Sequence, residues 1–219
     1  MQVNISNTSQ SLILNSYYIH LCENKDKLLV NKKVDSEFNQ NYMMSLVRLI
    51  SERLQTKIIK ISNHKFLPSG TSMNVLVESA ETFYGSSGVA HLNESHISFH
   101  SYFENSIDGV CVLRLELHIS SCSRNSVFHS LDVLSNDSKY CSFNAITIDY
   151  FHRGINLENI SPDREYLETF IQRIPSDRKL FDSSKSKNFE HIKIFKNADH
   201  DSNKNLYEKV FLQIADYLN

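Results

Sequence analysis

The 219-residue chain lacks most of the features that mark specialised protein classes. No segment reaches the roughly 18 consecutive apolar residues that a membrane-spanning helix needs. The opening stretch, MQVNISNTSQSLILNSYY, has neither the basic start nor the long apolar core of a secretory signal. Four cysteines (Cys22, Cys111, Cys122 and Cys141) lie far apart and form no CxxC pair, which argues against a zinc site. Without an export signal the same spacing argues against a disulfide framework and predicts a reducing, cytoplasmic setting. The formal charge is only −2, and no basic run is interleaved with aromatics. Neither nucleic acid nor an anionic membrane is therefore expected as the main partner. No cluster of carboxylates marks a place for a divalent cation.

What remains is ordinary globular material, 41% hydrophobic and 22% charged, long enough for one domain or two closely packed halves. SLILNSYYIHLC (11–22) reads as a first strand. From Asp35 to Leu54 the residues Phe38, Tyr42, Leu46, Leu49, Ile50 and Leu54 recur at helical spacing, with Asp35 or Ser36 as the cap. KIIKI and MNVLVES read as strands joined through a turn at Pro68 and Gly70. In GVCVLRLELHISSC, Leu113, Leu115, Leu117 and Ile119 alternate with Arg114, Glu116, His118 and Ser120. That register puts Cys111 on the apolar face as an inert core thiol and Cys122 on the polar one. A short helix at Val127–Leu134 and the strand AITIDYF follow. Residues 176–190, rich in Ser and Lys, read as a loop. Leu206, Val210, Ile214 and Leu218 mark a closing helix. Strands joined directly, with helices between others, predict an α+β sandwich.

VAHLNESHISFHSY (89–102) is the stretch that carries chemistry. On an extended segment His96, Ser98 and His100 share one side, and Ser95, Ile97 and Phe99 the other. Either Ser95 and His100 do different jobs, or the backbone bends at Glu94-Ser95. A bent peptide is what self-cleavage needs, because the serine oxygen must reach the Glu94 carbonyl carbon.

AHLNESHISFHSY, GVCVLRLELHISSC and ITIDYFHRG, in that order, resemble bacterial S-adenosylmethionine decarboxylase, and most of all its longer, magnesium-activated Gram-negative form. The similarity runs from about residue 10 to about residue 172 and fades beyond. It implies a two-layer sandwich with a largely antiparallel sheet, as one domain over 1–219 cleaved into a β chain (1–94) and an α chain (95–219). Ser95 would attack the Glu94 carbonyl, and elimination would leave a pyruvoyl group at the new terminus. That group takes the substrate amine as a Schiff base and accepts the electrons of decarboxylation. His100 corresponds to the processing histidine, a role suited to imidazole. Ser87 corresponds to a hydroxyl that holds the cleavage-site carbonyl, and Cys122 to the proton donor. Glu94 and Glu104 are the implied substrate contacts. Phe103 stands where the family usually has proline, and Ser123 where it has glycine.

Taken alone, these residues have plainer readings: Ser95 as a strand serine, Cys122 as structural, Ser87 as part of a common turn. Arg114 and Glu116 read as a solvated ion pair. Asp149 and Arg153 match the resemblance but suggest fold-shaping, and His91, His96 and His118 stay unassigned. The expected function is decarboxylation of S-adenosylmethionine for spermidine synthesis by a homo-oligomer of αβ units, with Mg2+ as a family activator. Rivals are the same machinery acting on arginine or ornithine, and an unprocessed regulatory homologue. An S-adenosylmethionine site needs aromatic faces, for which Tyr17, Tyr18, Phe66 and Phe99 are candidates.

Overall fold

The computed structural model describes residues 9–65, 70–79, 95–104, 108–121, 126–153, 164–175, 177–186 and 189–196, together with 210 and 212. β1 (Ser9–Leu21) is the spine. It pairs antiparallel with β5 (Val110–Ser121) on one side and β6 (Ala145–Arg153) on the other. Outward from β5 lie β4 (Ser95–Glu104), β3 (Thr71–Ser79) and β2 (Thr56–Lys65). Outward from β6 lie β8 (Phe189–Lys196) and β7 (Arg178–Ser186). The result is one eight-stranded sheet in the order β2-β3-β4-β5-β1-β6-β8-β7, every pair antiparallel. The α+β sandwich expected from the pattern is what forms.

Alternation decides which face is dry. Leu12, Leu14, Leu113, Leu115, Leu117, Ile119, Ile146 and Ile148 are all at most 1% exposed and share one core cluster. Each such aliphatic side chain contributes about 1.5–3 kcal/mol on leaving water. The opposing layer is α1 (Lys27–Glu37), α2 (Gln40–Arg53), α3 (His129–Ser135) and α4 (Arg164–Arg173). They deliver Val34, Met43, Leu46, Val47, Ile50, Leu131, Leu134, Leu167 and Phe170 to the same cluster. Two buried tyrosines lock the layers: Ser16 Oγ donates to the Tyr140 hydroxyl (3.0 Å), and the Tyr18 hydroxyl donates to the Tyr140 carbonyl (2.8 Å). Asn144 ties three strands together. Its amide donates to Tyr17 O, its side chain accepts from Ile19 N, and its carbonyl accepts from Lys196 N.

Three local expectations are corrected. The helix foreseen over 35–54 is two helices. Asp35 and Ser36 lie inside α1, and the cap of α2 is Asn39, whose side chain accepts from Tyr42 N at 3.0 Å. Asp35 instead accepts from the amide of Gly70 (2.9 Å), the residue just before β3. The loop foreseen over 176–190 contains β7 and the start of β8. β7 is the sheet's edge, where charged and hydroxylated residues discourage pairing with other chains; composition mimicked a loop. Of the foreseen closing helix, Val210 and Leu212 are described, and both are helical. Val210 packs with Tyr17, Ile19, Ala145 and Phe195 on the second face of the sheet, covering one end of it.

Candidate active site

The second face carries the polar half of every alternating strand, and the register fixes its rows. Ser72, His100, Glu116, Asn15, Thr147 and Lys193 lie in one row from β3 to β8. Ser98, His118, Ile13, Asp149 and His191 form the next. Tyr102, Arg114, Tyr17, Ala145 and Phe195 lie on one flank, and His96, Ser120, Ser11, Phe151 and Phe189 on the other. Six neighbouring strands thus bring together residues from widely separated parts of the sequence.

His100 is half-buried at the centre of the β3–β4–β5 part of this face. Its ring stacks on Tyr102 (centroids 5.9 Å apart, 14° between planes). The Arg114 guanidinium sits over the same tyrosine ring, 4.8 Å from its centroid, and pairs with Glu116 at 3.7 Å. The ion pair expected of Arg114 and Glu116 forms along β5, about one-third exposed, and Tyr102 links it to His100. A pair that open to water contributes little to stability; it orients the aromatic ring. His100 Nδ1 is buried and has no hydrogen-bond partner among the described residues. A buried imidazole nitrogen without a partner is a group kept available for something else.

A second chain of contacts runs along the His96 row. Ser11 Oγ and Ser120 Oγ are 2.6 Å apart, and Ser120 Oγ is 3.2 Å from His118 Nε2. His118 meets His96 edge-to-face, with centroids 4.9 Å apart. Farther across the sheet His191 Nδ1 lies 2.5 Å from Asp149 Oδ1.

Ser95 opens β4, as register partner of Val77. Glu104 closes the strand opposite Val112. Their side chains, like Ser87, Glu94, Cys122, Arg153 and Phe66, lie outside what is described. Ser95 and His100 are therefore brought onto one strand, with no break in register to either neighbour. Two aromatic candidates are corrected. Tyr18 and Phe99 are at most 2% exposed in the core under the helices, on the wrong face for a ligand near His100. Tyr17 has the right face but is packed with Val210. Tyr102, which the sequence reading did not single out, is the aromatic that stands beside it. His191 and Lys193 were also missed. The alternation of FEHIKIFK was present, but the Ser/Lys-rich run before it obscured the strand.

Cys111 is 1% exposed, and burial followed by its contact with Cys22 (Sγ–Sγ 3.3 Å) pushes its thiol up to about 12. It is an inert core thiol, as its register foretold. Among the described residues no group of three or more His, Cys, Asp or Glu could hold a metal ion. A groove of about 510 Å³ lined by Leu46, Leu49, Arg53, Val133 and Asp137 lies on the helical layer, away from His100.

No protein-family model matches the chain. A curated S-adenosylmethionine decarboxylase proenzyme of Sodalis glossinidius is 26% identical over 154 residues, covering 64% of this chain and 57% of that protein. One from Clostridium perfringens is 27% identical over 190 residues, covering 77% and 68%. The chain is similar to S-adenosylmethionine decarboxylase proenzymes. A third such proenzyme, from Clostridium acetobutylicum, is 26% identical over 68% of this chain and 59% of its own length. Among solved structures, the adenosylmethionine decarboxylase of Aquifex aeolicus matches 69% of this chain and 94% of its own, at 14% identity and a TM-score of 0.37. The chain spans between about half and two-thirds of the length of these curated proenzymes.

Proposed function

We propose that the chain cleaves itself between Glu94 and Ser95 and then decarboxylates S-adenosylmethionine, giving the aminopropyl donor for spermidine synthesis. The observation that carries this reading is the run of similarity to proteins named as decarboxylase proenzymes, over 154 to 190 residues. The word proenzyme, applied to them, fits a chain in which a serine and a histidine occupy the two parts of one strand.

Ser95 would supply the pyruvoyl group. Once formed, that group supplies a carbonyl that accepts electrons released as the substrate loses its carboxylate. The site fits such a group in one respect that geometry can test: His100 offers a buried, unpartnered ring nitrogen on the polar face. Around it Tyr102 and Arg114 hold the imidazole in place, and Glu116 keeps the guanidinium over the ring. His100 serves processing by moving a proton, as imidazole does near neutral pH. Cys122 returns a proton to the substrate carbon, Ser87 holds the cleavage-site carbonyl, and Glu94 and Glu104 contact substrate. One domain over 1–219 becomes fragments 1–94 and 95–219, working as a homo-oligomer in the cytoplasm, with Mg2+ as activator.

Strand geometry bears on how His100 acts. Five residues of unbroken strand put roughly 16 Å between the Cα atoms of Ser95 and His100. An imidazole cannot span that distance, so His100 serves the cleavage site of a second copy, which makes the oligomer part of the chemistry.

Intact mass under denaturing conditions tests the proposal. The expected result is two fragments divided before residue 95, the larger carrying a pyruvoyl terminus, and a single uncut Ser95→Ala chain. A wild-type chain that stays whole with and without magnesium overturns it. Release of carbon dioxide from S-adenosylmethionine, and not from arginine or ornithine, fixes the substrate.

A further inference from the structure

Two thiols that the proposed reaction does not use meet where β1 ends and β5 begins. Cys22 stands one residue past β1, and Cys111 lies next to the first residue of β5, opposite His20. Their sulfurs are 3.3 Å apart, and both are free thiols. The chain around them holds them there. Cys22 N donates to Gly109 O (3.0 Å), Gly109 N to Asn24 Oδ1 (3.0 Å), and Asn24 Nδ2 to Asp108 Oδ1 (2.9 Å). Two residues 89 positions apart in sequence are thus kept in contact, at an effective concentration far above that in the unfolded chain. A disulfide bond is about 2.05 Å long, so roughly 1 Å of approach would close it. The two sulfurs differ in access. Cys111 is 1% exposed, and its Sγ also donates to Lys27 O at 3.6 Å, so solutes do not reach it. Cys22 is half-buried and can be reached.

We propose that Cys22 and Cys111 are an oxidation site, closed to a reversible disulfide by a peroxide that enters at Cys22. The Cys22 thiolate attacks one oxygen of hydrogen peroxide, the O–O bond breaks, and hydroxide leaves and takes up the proton that Cys22 lost. Cys22 is then a sulfenic acid. The Cys111 sulfur attacks the Cys22 sulfur and displaces that hydroxyl, which leaves as water with the Cys111 proton. Two thiols and one peroxide become one disulfide and two waters, and the two electrons lost by sulfur are gained by the peroxide. Cys111 stays inert to solutes and acts only on its neighbour. A small thiol reopens the bond by exchange. The bond joins residues on either side of Glu94-Ser95, so in a chain cut there it would tie the two products covalently. That consequence, unlike the bond itself, rests on the cleavage proposed above.

Peptide mapping of the full chain tests the pair, after brief exposure to a small excess of hydrogen peroxide and alkylation of the remaining thiols in denaturant. Trypsin places Cys22, Cys111, Cys122 and Cys141 in four separate peptides. The expected result is a linked pair of peptides carrying Cys22 and Cys111, lost on adding dithiothreitol. Cys22→Ser should abolish the link, and Ser95→Ala should form it as the wild type does. Cys111→Ser should leave a Cys22 sulfenic acid that dimedone traps. Cys22 and Cys111 both recovered as free thiols, or a link that pairs either with Cys122 or Cys141, overturns the pair. Absence of the trapped sulfenic acid overturns entry at Cys22. Denaturing electrophoresis separates this proposal from the cleavage. An oxidised, cut chain should run as one species without reductant and as two with it. A cut chain whose fragments part without reductant overturns the disulfide and leaves the cleavage standing. A linked chain that stays whole under reductant upholds the disulfide and counts against the cleavage alone.

Discussion

One buried and one half-buried histidine make stability depend on pH. His152 is 4% exposed beneath the helical layer, and burial alone lowers its pKa below the ordinary 6.5. His20 is lowered mainly by burial, with Glu37 opposing and Lys33 assisting. Neither His152 Nδ1 nor His20 Nε2 has a hydrogen-bond partner among the described residues. Below about pH 6.5 the unfolded chain takes up protons that the folded one resists. The stability that these neutral rings contribute is thus present above that pH and lost as pH falls through their lowered values. Urea midpoints measured from pH 7.5 down to 5 should fall, and His152→Gln should flatten the decline. At this scale the sequence was legible where alternation was clean. Cys111, Leu117 and His100 lie on the faces that parity assigned. Tyr18 and Phe99 were not, because an aromatic residue reads the same whether it faces substrate or core.

Helix boundaries obeyed caps more than periodicity. The apolar spacing from Phe38 to Leu54 runs across the junction of α1 and α2, since Phe38 and Met43 enter one core from two helices. Asn39 marks the break: its side chain accepts from Tyr42 N and also donates to Ser36 O at 2.6 Å. Asn39→Ala should cost about 1 kcal/mol, read as a lower urea midpoint at unchanged slope. The exit from α2 is less favourable, with Gln55 at φ 56°, where glycine is the usual occupant. The hairpin β7–β8 eluded the sequence because an edge strand is selected to look polar. Its inner partner β8 buries Ile192 and Ile194 and pairs with β6.

The polar face is a property of the whole molecule, since its rows draw on residues 11 to 195. No local pattern announces that His100 and Lys193 share a row; that follows from a strand order in which β1 separates β5 from β6. If His100 serves a second copy, co-expressing Ser95→Ala and His100→Ala chains should restore cleavage. Only the His100→Ala chain would be cut, and differently tagged chains would reveal it by mass. Cleavage in neither chain would return His100 to its own subunit and require β4 to rearrange.

The order of strands has a further consequence for a chain cut before Ser95. The first product would carry β1, β2 and β3, and the second β4 to β8. β1 lies between β5 and β6, with twelve residue pairs to one and nine to the other, while β3 is clasped along β4. The two products are interleaved like the fingers of folded hands. No flat seam exists along which they can part, so they leave each other only by melting the sheet. Maturation on such a scaffold severs the chain without dividing the protein.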